Sequence, residues 1–228
     1  MDDDSRDRPP VPTSRSERAR TAALEAALAL AAELPYPQVT MEAIAARAGV
    51  GKATLYRRWP HRGALLVDAV AHRNARAAVG DGGIPDTGDL QADLTAVLRA
   101  VVDELAVPAW DALLRALCVE ALVDTAVGAQ VLEEVFAPQI ALFARRFATA
   151  RATGHIDGSV GDVEAFELFV APVFHRWQLR TGALDHAYAD AVVRRACRAL
   201  APLVTTRSGG AASARSGRTP RATPGPPG

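Results

Sequence analysis

The stretch MEAIAARAGVGKATLYRRWP, residues 41–60, decides how the rest of the chain is read. Its first eight residues carry apolar side chains at helical spacing, and Thr40 before them is suited to cap a helix. Gly49-Val50-Gly51 is a tight turn in which Gly49 can take the positive φ that ends a helix. A second short helix covers residues 52–58. Trp59-Pro60 stops it, because proline donates no N–H and restricts the residue before it. Two short helices joined by a three-residue turn containing glycine form a helix-turn-helix pattern. Ala45 and Ala48 are small enough for a close crossing, and Ile44 and Leu55 supply buried contacts. Val50, apolar in a turn, makes sense as a plug between the helices.

Lys52 is the only lysine against 25 arginines, and a lone lysine after glycine raises the alternative of a phosphate loop. That motif requires a first glycine where Ala46 stands, Ser or Thr where Ala53 stands, and a preceding strand where MEAIAARA is helical. It fails on all three counts. Charge favours the first reading. Residues 41–76 hold seven basic side chains and two acids, a local excess of +5 in a chain of net charge zero, which is an electrostatic footprint for phosphate. The N-terminal residues of the second helix are those that would reach base edges in a major groove.

Working outward, an amphipathic helix spans residues 16–33 and ends at Leu34-Pro35-Tyr36-Pro37; a longer one runs from 61 to 79. A Gly/Pro/Asp-rich loop follows at 80–88, then five helical segments at 89–105, 108–125, 130–152, 161–179 and 185–204. Pro138 and Pro172 fall inside helical patterns and should kink them. The expected fold is all-α, with about nine helices. Residues 1–15 read as a disordered arm. Residues 205–228, with four arginines, no acid and much Gly, Pro and Ser, read as a disordered tail. No apolar run reaches the length of about 18 residues that a membrane span needs, and no apolar segment follows the acidic N-terminus as in a secretory signal. A cytoplasmic protein is expected, with Cys118 and Cys197 as buried free thiols and with no metal site and no cofactor.

The segment VTMEAIAARAGVGKATLYRRWPHRGALLVDAV resembles the DNA-binding domain of the TetR family of bacterial transcriptional regulators. The matching pattern, T-x-x-x-I-A-x-x-A-G-V-x-x-x-T-L-Y-R-x-W-P-x-[KR]-x-x-L-L, is unbroken over residues 40–66; APVFHRWQLRTGALDHAYADAVVRRA, residues 171–196, more weakly resembles a ligand-domain ending of one group of that family. The resemblance implies a three-helix DNA-binding domain at 16–62, a linking helix to about 79, and a ligand-binding and dimerisation domain at 80–204. It also implies a homodimer, a palindromic double-stranded DNA operator, and repression relieved by a small-molecule effector. Thr40 falls on a phosphate-contacting position. Lys52, Ala53 and Thr54 fall on base-reading or groove-lining positions, and Tyr56 on a phosphate-contacting tyrosine. Arg57 and Arg58 fall on adjacent groove or backbone positions, and Arg62 where a basic residue grips phosphate. Gly51 departs from a usual Ser/Thr-like cap, and Gly63 from a common acidic residue that would support the start of the fourth helix.

For the effector, the aromatic and apolar candidates are Trp110, Leu114, Cys118, Phe136, Ile140, Phe143, Phe147 and Phe169, with His175 as a polar orienting group. Such a lining implies an apolar or aromatic ligand. An aromatic stripe at helical spacing is equally what a protein core requires. The long apolar faces of 161–179 and 185–204, with Ala187, Ala191, Val192, Ala199 and Leu203 on the second, point to dimerisation through the last two helices. Cys118 with His175 could in principle pair as nucleophile and base, but no catalytic signature surrounds either residue, so an enzyme is not expected.

Overall fold

The computed structural model describes residues 14–80 and 84–202. Among them there are ten α-helices and no strand. The arm at 1–15 (save Ser14 and Arg15), the tail at 205–228 and Leu203 lie outside the described residues. The helices are α1 (Arg15–Glu33), α2 (Met41–Ala48), α3 (Lys52–Arg58), α4 (Arg62–Gly80), α5 (Leu90–Leu105), α6 (Pro108–Val123), α7 (Thr125–Gln130), α8 (Ala137–Ala152), α9 (Asp162–Leu179) and α10 (His186–Leu200).

Local chemistry sets the boundaries. Ser14, Thr40, Asp89, Asp124 and Asp185 each accept a backbone N–H at the start of a helix, satisfying donors that have no partner within the first turn. Pro108 occupies the first turn of α6, where its missing N–H is not needed. The gap expected between residues 125 and 130 is filled by helix. After Asp124 the chain is helical without interruption from Thr125 to Ala152, and its Val131–Phe136 segment widens into a π turn. The Ala137 amide donates to the Leu132 carbonyl, five residues back, so the slack is taken up just before the proline whose ring would crowd an α-helical carbonyl. Pro172 lies inside an uninterrupted α9.

Three groups of buried apolar side chains hold the chain together. The first joins α1 to α4 through Leu24, Ala27, Leu30, Ile44, Leu55, Trp59 and Leu65. The second, built on Leu94, Leu98, Phe143, Phe147, Phe169, Val173, Val193 and Leu200, closes α5, α8, α9 and α10 into a bundle. Between them Ala31, Leu66, Val67 and Val70 of α1 and α4 pack on Trp110, Leu113 and Leu117 of α6 and on Val127 of α7. Helix α6 is therefore sandwiched, one side on the N-terminal helices and the other on the bundle.

An ion pair is buried inside the bundle. Arg146 of α8, 2% exposed, donates through Nε to Asp93 of α5 at 2.7 Å, and Asp93 also accepts the amide and hydroxyl of Thr87. Burial pushes the Asp93 carboxyl up, but the hydrogen bonds from Thr87 and Arg146 prevail and hold it below the usual range.

Candidate nucleic-acid interface and sensor core

Helix α3 is seven residues long, too short to persist alone, and all but Leu55 are exposed. Leu55 and Trp59 anchor it in the first apolar group. Trp59 Nε1 donates to Asp68 at 3.1 Å, and Asp68 also accepts Arg20 of α1, so the end of α3 is tied to both α1 and α4. The turn before α3 is a left-handed cap: Gly49 has φ +66°, its amide bonds Ala46, and the Val50 amide reaches back to Ala45 at 3.1 Å. Gly51 caps α3 through its carbonyl alone, with no side-chain bond.

This scaffold leaves Lys52, Ala53, Thr54, Tyr56, Arg57 and Arg58 exposed on one short, outward helix. Thr40, half-buried, accepts the Ala43 amide at 3.1 Å, so its hydroxyl caps α2. Glu42, which the sequence reading left out, sits among these side chains. Tyr56 donates its hydroxyl to Glu42 Oε1 at 3.2 Å, and Lys52 Nζ lies 3.9 Å from the same oxygen. Its place was legible two residues past the cap, but its neighbours across the turn were not.

Arg62 is placed differently from the other basic candidates. Its guanidinium turns inward to α6, donating through Nε and Nη2 to Glu120 at 3.1 and 2.7 Å. It stacks 4.0 Å from the centre of the Tyr36 ring, and Nη1 donates to the carbonyls of Tyr36 and Val39. The Tyr36 hydroxyl donates to the same Glu120 oxygen. Burial would raise the Glu120 carboxyl, but the bonds from Tyr36 and Arg62 outweigh it and keep it low. Gly63 explains how the helices come so close: a Cβ there would lie 2.8 Å from Val127 Cγ2, 3.1 Å from Glu120 Oε2 and 3.2 Å from His61 Nδ1. The missing acidic residue of α4 is thus a close approach of helices.

The effector candidates divide. Phe143, Phe147 and Phe169 meet with Phe166 in one buried aromatic group, ring centres 5.2 to 6.3 Å apart. Phe136 packs at its edge on Phe174, with Ile140, Leu114 and Cys118 partly buried around the same core. Trp110 belongs instead to the contact with α4, its ring 3.7 Å under the Arg73 guanidinium. His175 is exposed on the opposite face of α9, beside Glu167, Leu168, Ala171 and Pro172, so it is separated from the aromatic group it was expected to serve. Burial pushes the Cys118 thiol up, which holds it in the unreactive protonated form. Sequence reasoning missed Arg115: it stacks on Trp177, bonds Asp111 and caps the carbonyls of Trp177 and Gln178, locking α6 to the end of α9. Among the described residues no group of three or more His, Cys, Asp or Glu is placed to hold a metal ion, and no helix is long and apolar enough to cross a membrane.

Against known proteins, residues 23–69 match the family described as bacterial regulatory proteins, tetR family, and residues 84–196 match the tetracyclin repressor-like C-terminal domain. An uncharacterized HTH-type transcriptional regulator of Mycobacterium tuberculosis is 40% identical over 88 residues, which span 39% of this chain and 41% of that protein. The fold is similar to the crystal structure of the TetR family transcription regulator SCO0332, at 30% identity and a TM-score of 0.67, over 81% of this chain and 100% of that one. It is also similar to a TetR transcriptional regulator from Rhodococcus sp. RHA1, at 26% identity and a TM-score of 0.60, over 84% and 100% of the two chains.

Proposed function

The chain belongs to the TetR family of transcriptional regulators, DNA-binding proteins rather than enzymes, and from that premise we propose that it is a homodimeric, cytoplasmic repressor released from a palindromic operator by an apolar or aromatic small molecule. The observation that carries the DNA reading is α3: two buried anchors hold it, and everything else on it faces outward. In this reading Lys52, Ala53 and Thr54 enter the major groove. A flexible ammonium there can reach guanine O6 and N7. Thr40, Tyr56, Arg57 and Arg58 contact backbone and fix register without reading sequence.

Support for the dimer comes from α9 and α10. Val163, Leu168 and Leu179 are exposed apolar side chains on α9, and Glu164 and Glu167 share a surface with Leu168. Exposed Arg194, Arg195 and Arg198 on α10 offer the opposite charge to a second copy across a two-fold axis, and Ala187 and Ala199 of the same helix are also exposed. Val192 is spent in the chain's own core. Two copies would place two α3 helices about 34–36 Å apart, one turn of DNA.

The effector reading rests on Leu114, Cys118, Phe136, Ile140, Phe143, Phe147 and Phe169, which surround one core next to α6. A ligand that pries these apart must move α6, and α6 packs on α4. Trp110 takes part as a member of the α4–α6 contact. The test is binding to a selected operator and to a scrambled duplex at one stated salt concentration. A regulator prefers the operator by at least about 1,000-fold; equal affinity would leave only unspecific coating of DNA.

A further inference from the structure

Arg62 stands between two claims. Its position matches one that grips phosphate, yet its guanidinium is held by Glu120 of α6, from the other half of the molecule. Three donors, Arg62 Nε, Arg62 Nη2 and the Tyr36 hydroxyl, converge on one oxygen, Glu120 Oε1. Meanwhile Arg62 Nη1 bonds the carbonyl of Val39, the residue directly before Thr40, whose hydroxyl caps α2. The guanidinium therefore bonds the residue just before the cap of α2, close to the helix N-terminus, where backbone amides and the helix dipole favour an anion. A carboxylate and a phosphate present the same oxygen fork to a guanidinium.

Resting on the DNA-binding reading above, we propose that Glu120 is an internal substitute for DNA phosphate. It occupies Arg62 in the free protein and is a determinant of DNA affinity although it lies on a sensor helix. To contact DNA backbone, Arg62 must leave Glu120, so the carboxylate opposes binding by holding the guanidinium. Gly63 and the Arg62–Tyr36 stack make the substitution possible, the first by admitting α6 and α7, the second by holding the guanidinium at the junction. Glu120 follows Leu114 and Cys118 on the same helix, so whatever displaces those residues also changes how firmly Arg62 is held.

The test uses the full-length protein and a mixed-sequence duplex of about 30 base pairs, long enough for two half-sites. Backbone contact does not depend on sequence, so no operator is needed. Glu120→Gln keeps shape and removes charge. It should bind the duplex about fivefold more tightly, the scale of one weak, partly exposed ion pair in each protomer. In an Arg62→Ala background the same change should have no effect. Arg62→Ala alone should lower the slope of log affinity against log salt by about two units, as one lost phosphate contact in each protomer of the dimer requires. This slope is informative even if Glu120→Gln folds poorly. A Glu120→Gln protein that is folded and binds no better than wild type, or an Arg62→Ala slope equal to wild type, overturns the proposal while leaving DNA binding intact. Failure of the wild-type protein to bind any duplex overturns the underlying reading and this proposal with it.

Discussion

Replacing Gly63 by alanine sets two effects of opposite sign against each other. Gly63 is the second residue of α4, and on backbone grounds alone alanine in a helix is more stable than glycine by about 0.5–1 kcal/mol. The structure opposes that gain. The new methyl would stand 2.8 Å from Val127 Cγ2, on a side chain that is itself fully buried, and 3.1 Å from Glu120 Oε2. Overpacking of this kind costs about 1–3 kcal/mol. Packing wins, so Gly63→Ala should destabilise the protein by about 1 kcal/mol net, from the difference of these two ranges. Gly51 is the control: a Cβ there meets nothing closer than Thr54 Oγ1 at 4.0 Å, so Gly51→Ser should gain a few tenths of a kcal/mol through its new cap, as about expected of that exchange. Urea unfolding at one fixed protein concentration measures both, since dimer stability depends on concentration. Val127→Ala should relieve the clash, so the double variant should be less destabilised than the sum of the single ones. A Gly63→Ala protein more stable than wild type, or strict additivity with Val127→Ala, would refute the close packing of α4 on α7.

Three other outcomes follow from the same geometry. Lys52→Ala should cost about 1–3 kcal/mol on operator DNA and relax the preference at one base pair per half-site; uniform weakening on single-base operator variants would make Lys52 only a phosphate contact. Asp93→Ala removes the 2.7 Å partner of the buried Arg146 and leaves only Asp86 at 3.4 Å, so it should cost about 3 kcal/mol in urea unfolding, whereas the joint change Asp93→Leu and Arg146→Met should cost far less. Glu120 is held below its ordinary value of 4.5, so its contribution is complete above that pH and is lost as pH falls through the folded-state value. Wild type should accordingly lose more stability than Glu120→Gln between pH 5 and the acid limit of folding, and parallel curves would remove Glu120 from the clasp.

The N-terminal fold was legible because its signals are local. Thr40, Gly49 and Trp59-Pro60 set φ, caps and stops within a few residues, and the structure uses each as written. His175 was legible too and was misplaced: it follows the buried Val173 by two residues, a rotation of about 200° around the helix, which sends it to the far face of α9. What sequence could not supply were pairings between distant segments. Arg62 with Glu120, Arg146 with Asp93 and Arg115 with Trp177 join residues 58, 53 and 62 positions apart, and no period encodes a partner. Gly63 read as a weakness of α4 for the same reason, since the side chains that need its space belong to α6 and α7. The π turn before Pro138, and the helix Thr125–Gln130 that leads into it, escaped notice because such an adjustment leaves no pattern of apolar residues.

The central claim, that α3 of a two-fold dimer reads DNA sequence, is tested most directly by selecting bound duplexes from random DNA with the purified full-length protein. The account predicts enrichment of an inverted repeat whose half-sites are centred about one helical turn apart, or a multiple of it. An Lys52→Ala protein should lose information at one symmetric pair of positions in that repeat. Recovery of unrelated sequences, or of a single unpaired half-site, would contradict it.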